Sequence, residues 1–73
     1  MPKVPIISGT EAIRALKRLG FSVIRQRGSH IILSKGDSGC VVPNHNELKV
    51  GTLLGVLKQA GISLADFVAA LHS

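Results

Sequence analysis

Three short β-forming segments, separated by glycine-containing turns, occupy the middle of the chain. Residues 21–27 and 29–34 each contain a pair of adjacent β-branched residues, and Gly28 lies between the two segments. A polar loop at residues 35–39 separates the second segment from a third at residues 40–43. Because connections this short join antiparallel neighbours, the pattern predicts a three-stranded antiparallel meander.

A helical pattern precedes these segments. Ser8 and Glu11 stand three residues apart, as in a capping box, and apolar residues then recur at helical spacing. Gly20 follows the last of them and can adopt the left-handed conformation that ends many helices. The sequence therefore predicts a first helix over residues 9–19.

Two further helical patterns follow the β-forming segments. One is expected to begin between residues 49 and 52 and to end at Gly61. Ser63 and Asp66 resemble a second N-terminal cap, followed by a short apolar helix over residues 64–71. The predicted order is α-β-β-β-α-α.

This order predicts the fold class. Helices at both ends of an antiparallel sheet can cover one of its faces and leave the other to solvent. We therefore expect an α+β domain in which a three-stranded antiparallel sheet has its helices packed on one face. A chain of 73 residues is long enough for a single small domain, residues 1–73.

The turn of the first hairpin decides which residues share a face of the sheet. If residues 28–29 form a two-residue turn, Arg27 lies opposite His30 and Arg25 lies opposite Ile32 on one face. The other face then holds Ile24, Ile31 and Leu33. The first of these faces is cationic and contains a histidine.

The chain is both basic and apolar. It has 9 Lys and Arg against 4 Asp and Glu, a net charge of +5, while 45% of its residues are hydrophobic. This apolar content predicts a folded core, and the positive charge favours anionic partners such as nucleic acids. Tyr and Trp are absent and only two Phe occur, which argues against a platform that stacks unpaired bases.

The cysteine content and hydropathy indicate a compartment. Cys40 is the single cysteine, so no internal disulfide can form, and the histidines lack the close-set ligand pairs of a structural zinc site. No apolar run approaches the roughly 18 residues of a membrane span, and the first residues do not resemble a signal peptide. A cytoplasmic protein is expected.

His30 is the leading candidate for chemistry. From composition and spacing alone, it is most simply interpreted as a strand histidine on a solvated face. The alternative is cleavage of RNA, whose 2′-hydroxyl is a built-in nucleophile, so that an enzyme needs only a base, an acid and positive charge around the phosphate. Arg25, Arg27 and Lys35 could supply that charge.

Other candidates allow two interpretations each. Ser29 could cap the hairpin turn, which we favour, or donate a hydrogen bond to a phosphate. His45 is either a solvated loop residue or a second acid, base or phosphate contact. The cluster of Arg14, Lys17 and Arg18 is more simply a solvated helix face than a contact to an RNA backbone.

Three linked motifs resemble one known family. They are residues 19–30, which end in Gly-Ser-His, the Val-Pro-Asn-His segment at 42–45, and residues 47–62, in which Gly-Thr opens a Leu-Lys-Gln-Ala-Gly helix. Together they resemble the HicA toxins of bacterial and archaeal HicA–HicB toxin–antitoxin pairs, over nearly the whole chain.

The resemblance implies a double-stranded-RNA-binding-domain-like fold, cleavage of mRNA without a metal cofactor, and growth arrest when the toxin is free. It implies a catalytic role for His30 and a HicB-type antitoxin that covers the active site. Two features depart from the family pattern: Ile31 and Ile32, where a more polar or aromatic pair is expected, and the apolar tail over 64–71. That tail either packs on the core or forms part of a protein contact.

These observations predict a toxin that acts as a metal-independent endoribonuclease through His30 and needs no cofactor. The residues expected to contact RNA are Arg25, Arg27, Ser29, Lys35 and His45. One alternative is a non-catalytic RNA-binding module of the same fold. Another is a protein-interaction domain that docks an acidic partner on its positive face.

Overall fold

The computed structural model describes residues 3–73 and has the predicted order of elements. The elements are α1 (Gly9–Arg18), β1 (Ser22–Arg27), β2 (His30–Lys35), β3 (Ser38–Pro43), α2 (Val50–Ala60) and α3 (Leu64–Leu71). The α+β class is confirmed. The polar loop predicted at 35–39 is shorter than expected, because β2 and β3 are joined by a tight turn in which Gly36 has a φ of 58°.

The predicted capping box of α1 is present. The Glu11 amide donates to Ser8 Oγ over 3.1 Å, and the Ser8 amide donates to Glu11 Oε1 over 3.0 Å. These bonds satisfy amides that the first turn of a helix leaves without intrahelical partners. At the other end, Gly20 adopts a φ of 99°, which confirms the predicted stop.

The caps of the later helices are also confirmed. Gly61 has a φ of 71° after α2, and the Asp66 amide donates to Ser63 Oγ over 3.1 Å at the start of α3. Within residues 3–73 no single helix is long and apolar enough to cross a membrane. The bent pair formed by α2 and α3, at 104° to each other, passes that test together by length and composition alone.

The sheet is antiparallel with the strand order β1-β2-β3. Arg27 lies opposite His30 and Arg25 lies opposite Ile32, as the two-residue turn predicts. In turn, His30 lies opposite Pro43 on β3. The histidine therefore occupies the central strand at the end of the sheet where the first hairpin closes.

A bulge in β1 contradicts one part of the predicted register. The pairing shifts between Val23 and Arg25, so that Val23 lies opposite Leu33 and Ile24 has no partner of its own. The predicted register, which aligns Ile24 with Leu33, is therefore wrong at this position, and Ile24 is 62% exposed. An extra residue in one strand breaks the alternation on which the prediction depended.

The helices cover one face of the sheet, but only over β2 and β3. The buried strand residues on that face are Ile31, Leu33, Cys40 and Val42. α2 and α1 pack on β3, and α3 packs on α1. Phe67 of α3 is fully buried, so the apolar tail packs on the core. All residues of β1 stay exposed, and its neighbour in the fold is β2.

Candidate functional site

His30 lies on the sheet face that the helices leave open. It is the first residue of β2 and its side chain is exposed. Opposed residues in an antiparallel pair have Cα atoms about 4.5–5.5 Å apart, so Arg27 and Pro43 are its immediate neighbours. No hydrogen bond to the imidazole is found within residues 3–73, and both ring nitrogens can therefore meet a ligand.

Arg25 and Arg27 lie on the same open face, because residues two apart in a strand point to the same side. Both side chains are exposed. Neither guanidinium donates a hydrogen bond within the described part of the chain. Arg18, in contrast, donates to the carbonyl oxygens of Ala70 and Leu71 over 2.9 and 3.4 Å. Arg18 thus binds the C-terminal end of α3, whereas Arg25 and Arg27 are available to bind an anion.

The hairpin turn beside His30 is stabilised in an unexpected way. Gly28 adopts a φ of 58°, a conformation that favours glycine. Gln26 Nε2 donates to the Gly28 carbonyl oxygen over 3.0 Å. The turn cap that we favoured for Ser29 is absent, since its hydroxyl has no hydrogen-bond partner in residues 3–73. Gln26 serves that purpose, and the Ser29 hydroxyl is left exposed next to His30.

The segment that carries His45 is anchored beside this turn. The Asn44 amide donates to the Ser29 carbonyl oxygen over 2.6 Å, and the His45 amide donates to the Pro43 carbonyl oxygen over 2.9 Å. Pro43 lies opposite His30 and two residues before His45, so these bonds fix the start of the His45 segment next to His30. The His45 side chain is exposed.

Gly9 fixes this segment against the start of α1. Its amide donates to the His45 carbonyl oxygen over 2.8 Å. A Cβ at this position would overlap the Pro43 carbonyl oxygen and come within 2.9 Å of Asn44 Cα. Gly9 is the residue at this site that sequence reasoning missed. Its only signal in the sequence was a glycine at the first position of a predicted helix, although alanine has the higher helix propensity.

Lys35 is not brought together with His30. The two residues are at opposite ends of β2, and five residues at about 3.3 Å each place them about 17 Å apart. The ammonium of Lys35 donates to the Leu19 carbonyl oxygen over 2.8 Å, at the C-terminal end of α1. A cation there is favourable because the last carbonyls of a helix carry partial negative charge. Its contact with RNA stays a prediction.

The site is an open surface. No pocket is found in the part of the chain that the structure describes. Among those same residues, no group of three or more His, Cys, Asp or Glu side chains is placed to hold a metal ion. The arrangement offers a ligand an exposed imidazole beside two exposed guanidiniums of the neighbouring strand, which suits a phosphate-containing polymer.

A comparison with models of protein families shows to which family the chain belongs. The family model described as HicA toxin of bacterial toxin-antitoxin matches residues 9–62, about three quarters of the chain. This chain belongs to the HicA toxin family. It is therefore the toxin of a toxin–antitoxin system and has an antitoxin as its partner. A comparison with curated protein sequences finds no match.

The family match spans the whole candidate site of this HicA toxin. It begins at Gly9 and ends after α2, so that β1, β2, β3 and the segment carrying His45 all lie within it. α3 lies beyond the matched residues. Its packing on α1 and its hydrogen bonds from Arg18 show that it nevertheless belongs to the same core.

Proposed function

We propose that this HicA toxin is an endoribonuclease that cleaves mRNA in the cytoplasm without a metal ion, with His30 as its catalytic residue. The activity is assigned to one domain, residues 1–73. The observation that carries the proposal is the pair formed by His30 and Arg27. An exposed imidazole with no partner within residues 3–73 lies opposite an exposed guanidinium on the uncovered face of the sheet.

The reaction requires little from the protein. The 2′-oxygen of the ribose attacks the adjacent phosphorus, the bond from phosphorus to the 5′-oxygen breaks, and the leaving oxygen takes up a proton. The products are a 2′,3′-cyclic phosphate and a 5′-hydroxyl. His30 acts either as the base that removes the 2′-hydroxyl proton or as the acid that protonates the leaving oxygen. Since RNA brings its own nucleophile, no metal-bound hydroxide is needed.

Arg25 and Arg27 stabilise the negative charge that builds up on the phosphate during this step. Guanidinium groups suit the role because they remain charged and can donate two parallel hydrogen bonds to phosphate oxygens. Ser29 adds a hydroxyl donor at the turn. His45 is the nearest second imidazole along the chain, and it contacts phosphate or shares the acid and base roles with His30.

Inhibition by the antitoxin follows from the shape of the site. No pocket encloses the site within residues 3–73, so a bound protein can cover it. We propose that a HicB-type antitoxin covers His30 and its neighbouring arginines, which prevents RNA from reaching them. Free toxin then arrests growth by degrading mRNA.

A cleavage assay in the presence of EDTA tests the proposal. Wild type, His30→Ala and His45→Ala are incubated with a defined transcript and the products are separated on a gel. Wild type is expected to shorten the RNA and His30→Ala to leave it intact, while the same RNA with 2′-deoxyribose at the cleaved position resists wild type. Unchanged decay by His30→Ala would refute the assignment. RNA that is bound but never shortened by wild type would indicate the non-catalytic RNA-binding module instead.

A further inference from the structure

The two edges of the sheet differ in how they are protected. At the β3 edge, the Val41 amide donates to Gln59 Oε1 of α2 over 3.2 Å, and α2 packs along the strand. At the β1 edge, no hydrogen bond joins the outward backbone groups to another part of residues 3–73. An open strand edge presents amides and carbonyls that can pair with a further strand. β1 is therefore the edge at which the sheet can be extended.

The β1 edge is also apolar at one end and charged at the other. Val23 and Ile24 are 43% and 62% exposed, whereas Arg25 and Arg27 follow them toward the hairpin turn. β-branched side chains favour cross-strand pairing, and the arginines favour a partner of opposite charge. The strand thus offers backbone hydrogen bonds, apolar contact and positive charge together.

A second copy of the chain is a poor occupant. β1 carries two arginines and no acidic residue, so pairing of two β1 strands would gather four positive charges without a negative charge between them, which is unfavourable. The net charge of +5 on each copy adds to the repulsion. The same charges attract an extended segment rich in Asp and Glu.

RNA is also a poorer occupant of the edge itself. The alternating amides and carbonyls of a strand edge are matched by the alternating carbonyls and amides of another polypeptide. A polynucleotide has no such alternation, and it is expected on the open face near His30 rather than along the outer edge of β1.

We propose that an extended, acidic segment of the antitoxin binds along the β1 edge as a fourth strand of the sheet. Such a strand lies about 4.8 Å from β1, so its carboxylates meet Arg25 and Arg27 directly. Phosphate groups are then excluded from the two guanidiniums beside His30. The inhibitory consequence rests on the proposed ribonuclease function, whereas the strand addition does not.

Amide hydrogen exchange of the toxin with and without its purified antitoxin tests the binding mode. In the complex, the β1 amides that point away from β2 are expected to exchange at least 10-fold more slowly than in the free toxin. Equal exchange rates of these amides in the two states overturn the proposal. Protection that appears in the free toxin as its concentration rises would indicate pairing with a second copy, and it also overturns the proposal. Equal protection of these amides by RNA alone overturns it as well.

A variant pair tests the chemistry of the edge. Ile24→Asp places a negative charge on β1 and is expected to weaken antitoxin binding at least 10-fold. Ile6→Asp makes the same change at an isoleucine that is 74% exposed outside the sheet and is expected to change binding less than 2-fold. Equal effects of the two substitutions contradict the proposal. Thermal melting checks that both variants fold.

A photo-crosslinker at position 24 identifies the bound segment. Capture of an extended antitoxin segment that carries several Asp or Glu residues supports the proposal, and capture of a helix or of a basic segment overturns it. Exchange and crosslinking require no ribonuclease activity. A toxin that shows β1 protection but never cleaves RNA would refute the proposed function and leave this inference standing.

Discussion

Arg27 and His30 face each other across the first hairpin, as the pair that closes β1 and β2. Both side chains are exposed on the face of the sheet opposite the helices. The pairing arises because Gly28, with its positive φ, permits a turn of only two residues. A local turn thus places a cation beside an imidazole without any contribution from the core.

Removal of Arg27 tests the role of this pair. Arg27→Ala is expected to reduce the rate of transcript cleavage by about 100-fold, because one guanidinium no longer stabilises the charged phosphate. Its thermal stability should be unchanged, since the side chain is exposed. Lys58→Ala removes the same charge from an exposed position on α2, in the helix layer behind the sheet. A similar loss of activity in both variants would show that overall charge, rather than the position beside His30, matters.

Substitution of Gly9 tests the anchoring of the His45 segment. Gly9→Ala is expected to lower the free energy of unfolding by about 1–3 kcal/mol, because the new Cβ overlaps the Pro43 carbonyl oxygen. Gly55→Ala is the control: this glycine lies in the middle of α2 with open space around it, and the change should raise the free energy of unfolding by about 0.5–1 kcal/mol. Urea unfolding measures both variants. A Gly9→Ala variant as stable as Gly55→Ala would contradict the close packing.

Lys35→Ala separates a structural role from a role in RNA binding. Loss of its hydrogen bond to the Leu19 carbonyl should reduce stability by about 0.5–1.5 kcal/mol. Its distance from His30 predicts a smaller decrease in cleavage than that of Arg27→Ala. The slope of RNA affinity against salt concentration reports whether Lys35 also binds a phosphate, since removing one lysine–phosphate pair makes the slope shallower by about one.

The stability of the protein is expected to decrease at alkaline pH because Cys40 is buried. Burial in the core raises the pKa of its thiol above the ordinary value of 9.0. As pH rises past that value, the thiol of the unfolded chain ionises while the folded thiol stays protonated, so unfolding becomes more favourable. Cys40→Ala removes this effect, and the stability of the variant should decline less between neutral and alkaline pH. In the native protein, alkylation of Cys40 should be slow until denaturant is added.

The parts of the fold that depend on near neighbours were predicted from the sequence. The Ser8–Glu11 capping box, the Gly20 and Gly61 stops and the pairing of Arg27 with His30 each involve residues only a few positions apart. Their geometry follows from local backbone and hydrogen-bonding preferences. The centre of the candidate site could be predicted for the same reason, because Arg27 and His30 flank a two-residue turn.

The sequence by itself therefore determined the order of the elements and the position of His30 beside two arginines. Only the tertiary structure decided that Ile24 bulges out of β1, that Lys35 and Arg18 bind helix ends, and that β1 is the open edge. These features depend on contacts between segments up to 53 positions apart. Such contacts arise when the layers pack, and no local preference specifies which distant carbonyl or strand a side chain will meet.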